Sequence, residues 1–140
     1  MKPVKIIIAT HGDYGRALIQ SAEMIIGSVD NVYSISLTPE KSFEDFLLEA
    51  ETLLKENEPD ANVFAFVDLF GGTPSNVLTV LTKKYQHEVI AGVNLPMFVD
   101  FYLKTREISQ LSKNDRLTIV EQLLRTGNES IVHTNSLIEI

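Results

Sequence analysis

Two residues that each follow an apolar run, His11 and Asp68, could together carry out chemistry. A carboxylate that accepts the proton on Nδ1 of a histidine fixes the tautomer and leaves a lone pair on Nε2, so the ring can act as a nucleophile or a base. The turn after Asp68, Gly71-Gly72-Thr73, is typical of a helix start, where unpaired backbone N–H groups and the helix dipole attract an anion. A phosphoryl group on Nε2 of His11 is the anion that fits these features together.

The fold must bring these residues together, and the apolar pattern predicts alternating strands and helices. Short runs rich in β-branched and aromatic residues indicate strands, and segments with apolar residues at helical spacing indicate helices between them. Such alternation with short loops favours a doubly wound α/β domain with a mainly parallel sheet of strand order 2-1-3-4. The predicted strands are Val4 to Ala9, Asn31 to Leu37, Asn62 to Val67 and Glu88 to Ala91.

Capping signals predict where the helices begin and end. Ser42 and Ser112 each begin a capping-box pattern, and Thr73 is a candidate N-cap with a proline behind it. Gly27 and Gly127 are expected to end the first and last helices. Further predictions are a break at Asn57 to Asp60, a fourth helix from about Pro96 to Leu103, and a brief extra strand at Ile131-Val132.

The strand order predicts where the candidate site lies. Ligands bind such sheets beyond the carboxyl ends of the strands, near the switch point, where the first and third strands are neighbours. His11 and Asp68, which follow these two strands, are therefore expected to face one another, with the Gly71-Gly72-Thr73 turn beside them. His87, at the amino end of the fourth strand, and His133, in the tail, are expected on the surface.

Composition and charge exclude several functional classes. The length of 140 residues predicts one domain, which spans residues 1–140. Hydrophobic residues make up 44% of the chain and charged residues 22%, which is an ordinary composition for a globular protein. A net charge of 12 − 19 = −7 argues against nucleic acid as a partner. The longest apolar run, Val63 to Val67, is far below the roughly 20 residues of a membrane span, so direct membrane insertion is not expected. The absence of cysteine and of a visible export signal fits a cytoplasmic protein.

Other site chemistries lack the residues that they need. A metal site built on His11 and Asp68 would require a further ligand, to which no spacing points. Ser75 lacks the glycines of a nucleophile elbow and is expected to be a first-turn helix residue. A phosphate-binding loop ending in Gly-Lys-Ser/Thr is absent. No metal, nucleotide or other cofactor is therefore expected.

Four segments in series resemble the enzyme IIA component of the mannose-type sugar phosphotransferase system, over about the first hundred residues. The resemblance implies a cytoplasmic phosphocarrier that takes a phosphoryl group from the phosphohistidine of the carrier protein HPr and passes it to a histidine of enzyme IIB. The IIB protein then phosphorylates a sugar as it enters through a membrane permease. The segments are Ile7 to Gly12, Ala22 to Gly27, Val67 to Asn76 and Val89 to Met97.

The resemblance also implies roles for individual residues. The acceptor atom would be Nε2 of His11, the orienting carboxylate Asp68, and the turn beside the phosphate Gly71, Gly72 and Thr73. It further implies a homodimer that exchanges a C-terminal antiparallel strand, for which Ile131-Val132 is the expected equivalent. A IIB partner is expected on a separate polypeptide.

Several questions stay open at this level. An exposed His11 is expected, and Phe70, Leu95 and Met97 are either part of a docking surface or ordinary loop packing. The phosphocarrier subunit of a phosphoenolpyruvate-dependent dihydroxyacetone kinase uses a related domain and is an alternative. Another is a regulatory binding module whose phosphorylation signals sugar supply. A response regulator with Asp68 as acceptor lacks the acidic pair after the first strand that would bind Mg²⁺.

Overall fold

A four-stranded, all-parallel sheet of order β2-β1-β3-β4 forms the centre of the protein, as a computed structural model describing residues 4–56 and 61–138 shows it. This confirms the predicted α/β class and strand order. The strands are β1 (Val4–His11), β2 (Val32–Leu37), β3 (Asn62–Val67) and β4 (His87–Ala91). The helices are α1 (Tyr14–Ile26), α2 (Phe43–Lys55), α3 (Thr73–Val80), α4 (Leu95–Thr105) and α5 (Lys113–Glu129), with single 3-10 turns at Leu81–Lys83 and Thr134–Leu137.

Helices cover both faces of the sheet, because alternate residues of the central strands point to opposite sides. On one face, Phe64 and Phe66 of β3 join the core formed with α1, α4 and α5. On the other face, Ala65 and Val67 of the same strand pack with α2 and α3. The phenylalanine face is closed by edge-to-face rings, with centroids 4.8 Å apart for Phe64 and Phe101. Both central strands are therefore buried on two sides.

Several predicted helix ends differ from the structure. The N-cap of α3 is Gly72, so the predicted N-cap Thr73 is instead the first helical residue. Gly127 does not end α5; it is buried inside the helix, where a Cβ would collide with the Met97 side chain, and Ser130 is the C-cap. The glycine therefore serves close packing of α5 on α4. Both predicted capping boxes, at Ser42 and Ser112, are confirmed.

The C-terminal tail does not form the predicted extra strand within this chain. Ile131 and Val132 lie outside every strand that the described residues form, and a 3-10 turn follows at Thr134–Leu137. The predicted break at Asn57 to Asp60 lies outside the described residues. Among the helices of the described chain, none is both long and apolar enough to span a bilayer.

Candidate functional site

The candidate site begins where β1 extends beyond its pairing with β3. The pairing of β1 with β3 ends at Ala9 and Val67, whereas its pairing with β2 continues to His11 and Leu37. The amide of Gly12 still donates to the Leu37 carbonyl at 2.8 Å. As a result, His11 stands at the carboxyl edge of the sheet, next to the residue that follows β3.

That residue is Asp68, and its carboxylate holds His11 at two points. Oδ2 of Asp68 lies 2.8 Å from Nδ1 of His11 and accepts the backbone N–H of His11 at 3.0 Å. Oδ1 accepts the N–H of Leu69 at 3.1 Å, which fixes the rotation of the carboxyl group. The pairing predicted from the sequence is therefore present. With Asp68 ionised, Nδ1 carries the proton and Nε2 keeps a free lone pair.

The two side chains of this pair differ in exposure. The Asp68 side chain is 11% exposed, whereas that of His11 is 49% exposed. The buried partner thus holds the ring, and the ring remains open to solvent. This arrangement suits a group that must be reached by another protein rather than by a small molecule in a closed pocket.

Gly72 provides the surface against which the His11 ring rests. A Cβ at Gly72 would lie 2.8 Å from Cε1 and 3.4 Å from Nε2 of His11. Because real Cβ atoms do not approach that closely, the ring can occupy this position only above a glycine. Nε2 therefore faces the N-cap of α3, where backbone N–H groups and the helix dipole favour an anion.

The rest of the turn is formed by Gly71 and the first residues of α3. Gly71 has φ of +90°, which an L side chain rarely adopts, and its carbonyl accepts the Asn76 side-chain amide at 3.4 Å. Thr73 is the first residue of α3 and is half-buried. Pro74 follows without an N–H, so the donors of the first turn belong to its neighbours. Ser75 is a residue of that first turn, as expected, and it is buried.

The loop after β4 is tied to the same edge of the sheet. Val93 donates its N–H to the Val67 carbonyl at 3.2 Å, which ties the loop to the end of β3. The hydroxyl of Tyr14 donates to the carbonyl of Val93 at 2.9 Å, so the start of α1 is joined to the same loop. Asn94 caps α4 by accepting the N–H of Met97 at 3.0 Å. Sequence reasoning missed Tyr14, whose only signal is its position three residues after His11.

The structure corrects two expectations about residues outside the pair. His87 is buried rather than exposed, with Nε2 2.8 Å from the Leu78 carbonyl of α3, and burial lowers its pKa below the ordinary 6.5. Met97 is also buried, in the core between α4 and α5, so it is not part of an open docking surface. By contrast, Phe70 is 87% exposed beside the site, and His133 is exposed as expected.

The chemistry available here is that of an oriented imidazole next to an anion-binding helix start. Nε2 of His11 can attack an electrophilic phosphorus, Asp68 can stabilise the imidazolium that forms, and the α3 N-terminus can bind the oxygens of the transferred group. Over residues 4–56 and 61–138, no group of three or more His, Asp or Glu side chains is placed to hold a metal ion.

Comparisons with known proteins agree on one family. The family model described as PTS system fructose IIA component matches residues 5–117. The mannose-specific EIIAB component of Escherichia coli (strain K12) is 35% identical over 129 residues, which are 91% of this chain and 38% of that protein. The sorbose-specific EIIA component of Lacticaseibacillus casei is 27% identical over 136 residues, covering 95% of this chain and 96% of that protein.

Solved structures show the same likeness. The crystal structure of phosphotransferase system component EIIA from Streptococcus agalactiae matches with a TM-score of 0.83 and 25% identity, covering 95% of this chain and 98% of that one. The chain therefore spans less than half the length of the Escherichia coli relative, and nearly the whole length of the other two.

Proposed function

The chain belongs to the mannose-type family of IIA components of the sugar phosphotransferase system, and on this premise we propose that it carries a phosphoryl group on Nε2 of His11. The observation that carries the proposal is the His11–Asp68 pair, with Nδ1 held at 2.8 Å and Nε2 left open beside the start of α3. In this proposal phospho-HPr is the donor and a histidine of enzyme IIB is the acceptor.

Transfer proceeds by in-line displacement between two histidines. As the N–P bond of the donor phosphohistidine breaks, the lone pair on Nε2 of His11 forms the new N–P bond. The proton on Nδ1 stays in place, and the positive charge that develops on the ring is balanced by Asp68 at 2.8 Å. The reverse set of steps delivers the group to enzyme IIB, so no water, metal or nucleotide enters the balance.

The negative charge on the transferring group is stabilised at the start of α3. Its oxygens accept from backbone N–H groups of the Gly71 to Thr73 turn and from the Thr73 hydroxyl. The absence of a side chain at Gly72 lets the phosphorus approach the backbone closely. Because these donors are fixed by the helix before the group arrives, they need not reorganise during transfer.

Two protein partners must reach the same atom in turn, and the surface around His11 suits that requirement. The His11 side chain is about half exposed, and Leu69 and Phe70 beside it are 50% and 87% exposed. An exposed aromatic ring next to a reactive group is a typical anchor at a protein interface. We assign these two residues to the docking surface for both partners; the permease acts only downstream, through enzyme IIB. The carrier is proposed to work in the cytoplasm.

A homodimer is part of the proposal and is supported by the exposed tail. Ile131, Val132, Leu137 and Ile138 are 78%, 47%, 69% and 64% exposed, a concentration of apolar surface that a second copy could cover. We expect sedimentation equilibrium to give the mass of two chains, and a chain ending at Ser130 to give the mass of one. A monomeric full-length chain would contradict strand exchange.

The carrier role is tested by phosphorylation with purified components. The protein is incubated with phosphoenolpyruvate, enzyme I and HPr, and followed by intact mass and peptide mapping. We expect one acid-labile phosphoryl group on His11, absent from His11→Ala and retained by His133→Ala, a control that removes an exposed histidine from the tail. A phosphoryl group on Asp68 or His87, or none, contradicts the proposal.

Onward transfer decides between the carrier role and its alternatives. Labelled protein is mixed with a mannose-type enzyme IIB or with the subunits of a dihydroxyacetone kinase. Transfer to the IIB histidine supports the proposal, and transfer to the kinase instead supports the related carrier. A stable label that neither protein accepts indicates a regulatory binding module.

A further inference from the structure

We propose that the buried hydroxyl of Thr10 is a positioning group that sets the backbone of His11 for phosphoryl transfer, an inference that rests on the carrier role proposed above. Thr10 is the last residue of β1 before His11 and is completely buried. Its Oγ1 accepts the backbone N–H of Gly15 at 2.9 Å, and lies 3.4 Å from the carbonyl oxygen of Gly12, to which it donates.

The bond to Gly15 replaces a missing helix cap. The first N–H groups of a helix have no partner within it, and a side chain at the N-cap usually accepts one of them. Asp13, the N-cap of α1, makes no such side-chain bond to any part of the chain that the structure describes. Thr10 supplies the acceptor from five residues upstream, and so joins the end of β1 to the first turn of α1.

The join is tightly packed as well as hydrogen-bonded. A Cβ at Gly15 would lie 3.0 Å from Cγ2 of Ile8 and 3.3 Å from both Cγ2 and Oγ1 of Thr10. The start of α1 therefore rests directly on β1, with no space for the turn between them to slide. The chain between these contacts consists of His11 at the end of β1, the turn Gly12-Asp13, and Tyr14 at the start of α1.

The position of this turn controls the contacts of His11. Its backbone N–H and its Nδ1 both reach the same oxygen of Asp68, at 3.0 and 2.8 Å. Both contacts can form only when the main chain and the ring of His11 are positioned correctly at the same time. A main-chain shift at His11 lengthens one bond or the other, because Asp68 is itself fixed by Leu69. The Thr10 hydroxyl holds the main chain on one side of His11, and Asp68 holds it on the other.

Three variants separate positioning from general stability. Thr10→Val keeps the shape of the side chain and removes the hydroxyl, and Thr10→Ser keeps the hydroxyl and removes the methyl group. Thr105→Val is the matched control. Thr105 is 1% exposed and its hydroxyl donates to the Phe101 carbonyl at 2.7 Å, but it lies at the end of α4, opposite the His11 edge of the sheet.

The first readout uses the unphosphorylated protein and needs no partner. In ¹⁵N NMR spectra we expect the neutral His11 ring of the wild type to carry its proton on Nδ1, and Thr10→Val to shift population to the Nε2–H tautomer. The amide of Gly15 should exchange with solvent faster in Thr10→Val. Thr10→Ser and Thr105→Val should leave the His11 tautomer unchanged.

The second readout is phosphoryl transfer from phospho-HPr. Misplacing a reacting group by about 1 Å can reduce a reaction rate about 100-fold. We therefore expect kcat of Thr10→Val to fall at least about tenfold with KM unchanged. Thr10→Ser should have the kcat of the wild type. The inference is overturned if a folded Thr10→Val keeps the wild-type tautomer and kcat, or if Thr105→Val loses as much. If the wild type itself accepts no phosphoryl group, the carrier role fails, and the NMR readout still decides whether Thr10 positions the ring.

Discussion

Replacing Asp68 with asparagine tests the central pair, because the change removes a charge and almost no volume. The carboxylate accepts three N–H groups: the backbone and Nδ1 of His11 on one oxygen, and the backbone of Leu69 on the other. Asparagine has a single acceptor oxygen, so its NH₂ group must face one of these donors. If its oxygen faces His11, the Leu69 N–H loses its partner, and if its NH₂ group faces His11, both the backbone N–H and Nδ1–H of His11 do. In either orientation the ring loses its counter-charge.

The expected loss follows from the contact that disappears. A hydrogen bond to a charged group contributes about 1.5 to 3 kcal/mol, and about 1.4 kcal/mol corresponds to a tenfold change in rate. Asp68 is only 11% exposed, so solvent screens the pair weakly on that side, whereas the half-exposed His11 side chain is screened more. We therefore expect the rate of phosphoryl acceptance by Asp68→Asn to fall by about 10- to 100-fold.

The assay measures the rate of transfer from phospho-HPr by rapid quench. Asp13→Asn is the control, since Asp13 is exposed two residues from His11 and makes no side-chain capping bond within the described part of the chain. It removes the same charge from the same neighbourhood without touching the ring. A wild-type rate in a folded Asp68→Asn, or an equal loss in Asp13→Asn, would refute the assignment of Asp68 as the orienting carboxylate.

Two further predictions test the packing around the site and the buried histidine. Gly72→Ala should fold normally, since φ at Gly72 is −83°, but its Cβ displaces the His11 ring and slows phosphoryl acceptance. Gly127→Ala places a Cβ in α5 that crowds the Met97 side chain of α4 instead, and it should leave the rate unchanged. Equal rates in the wild type and both variants would contradict the contact between Gly72 and the His11 ring. Burial lowers the pKa of His87 below 6.5. Between the folded-state pKa and about pH 7, the unfolded chain therefore binds more protons at this residue than the folded chain does. As a result, His87 lowers the free energy of unfolding progressively as the pH falls through this range. Urea unfolding at pH 7.5 and pH 5 should show that the free energy of unfolding depends less on pH in His87→Phe than in the wild type. The control His133→Phe should match the wild type. An unchanged pH dependence in His87→Phe argues against a neutral buried ring.

The sequence alone determined the alternation of elements and the identity of the central pair. The strands β1 and β3 are short β-branched and aromatic runs, and two helix starts carry capping boxes, all of which are local patterns. Right-handed crossovers then leave few topologies, and the order that follows places β1 beside β3. Because functional groups in such a sheet follow the carboxyl ends of adjacent strands, His11 and Asp68 could be paired from their positions along the chain.

Only the tertiary structure decided how closely other segments approach these elements. His87 is buried because α3 covers the amino end of β4, and Gly127 stands inside α5 where a side chain would collide with Met97 of α4. The contact between Gly72 and the His11 ring, and the use of Thr10 in place of a cap, likewise join residues from different elements. Periodicity and capping patterns report the conformation of a segment, whereas burial and close approach depend on which segments meet, and at what distance, across the folded chain.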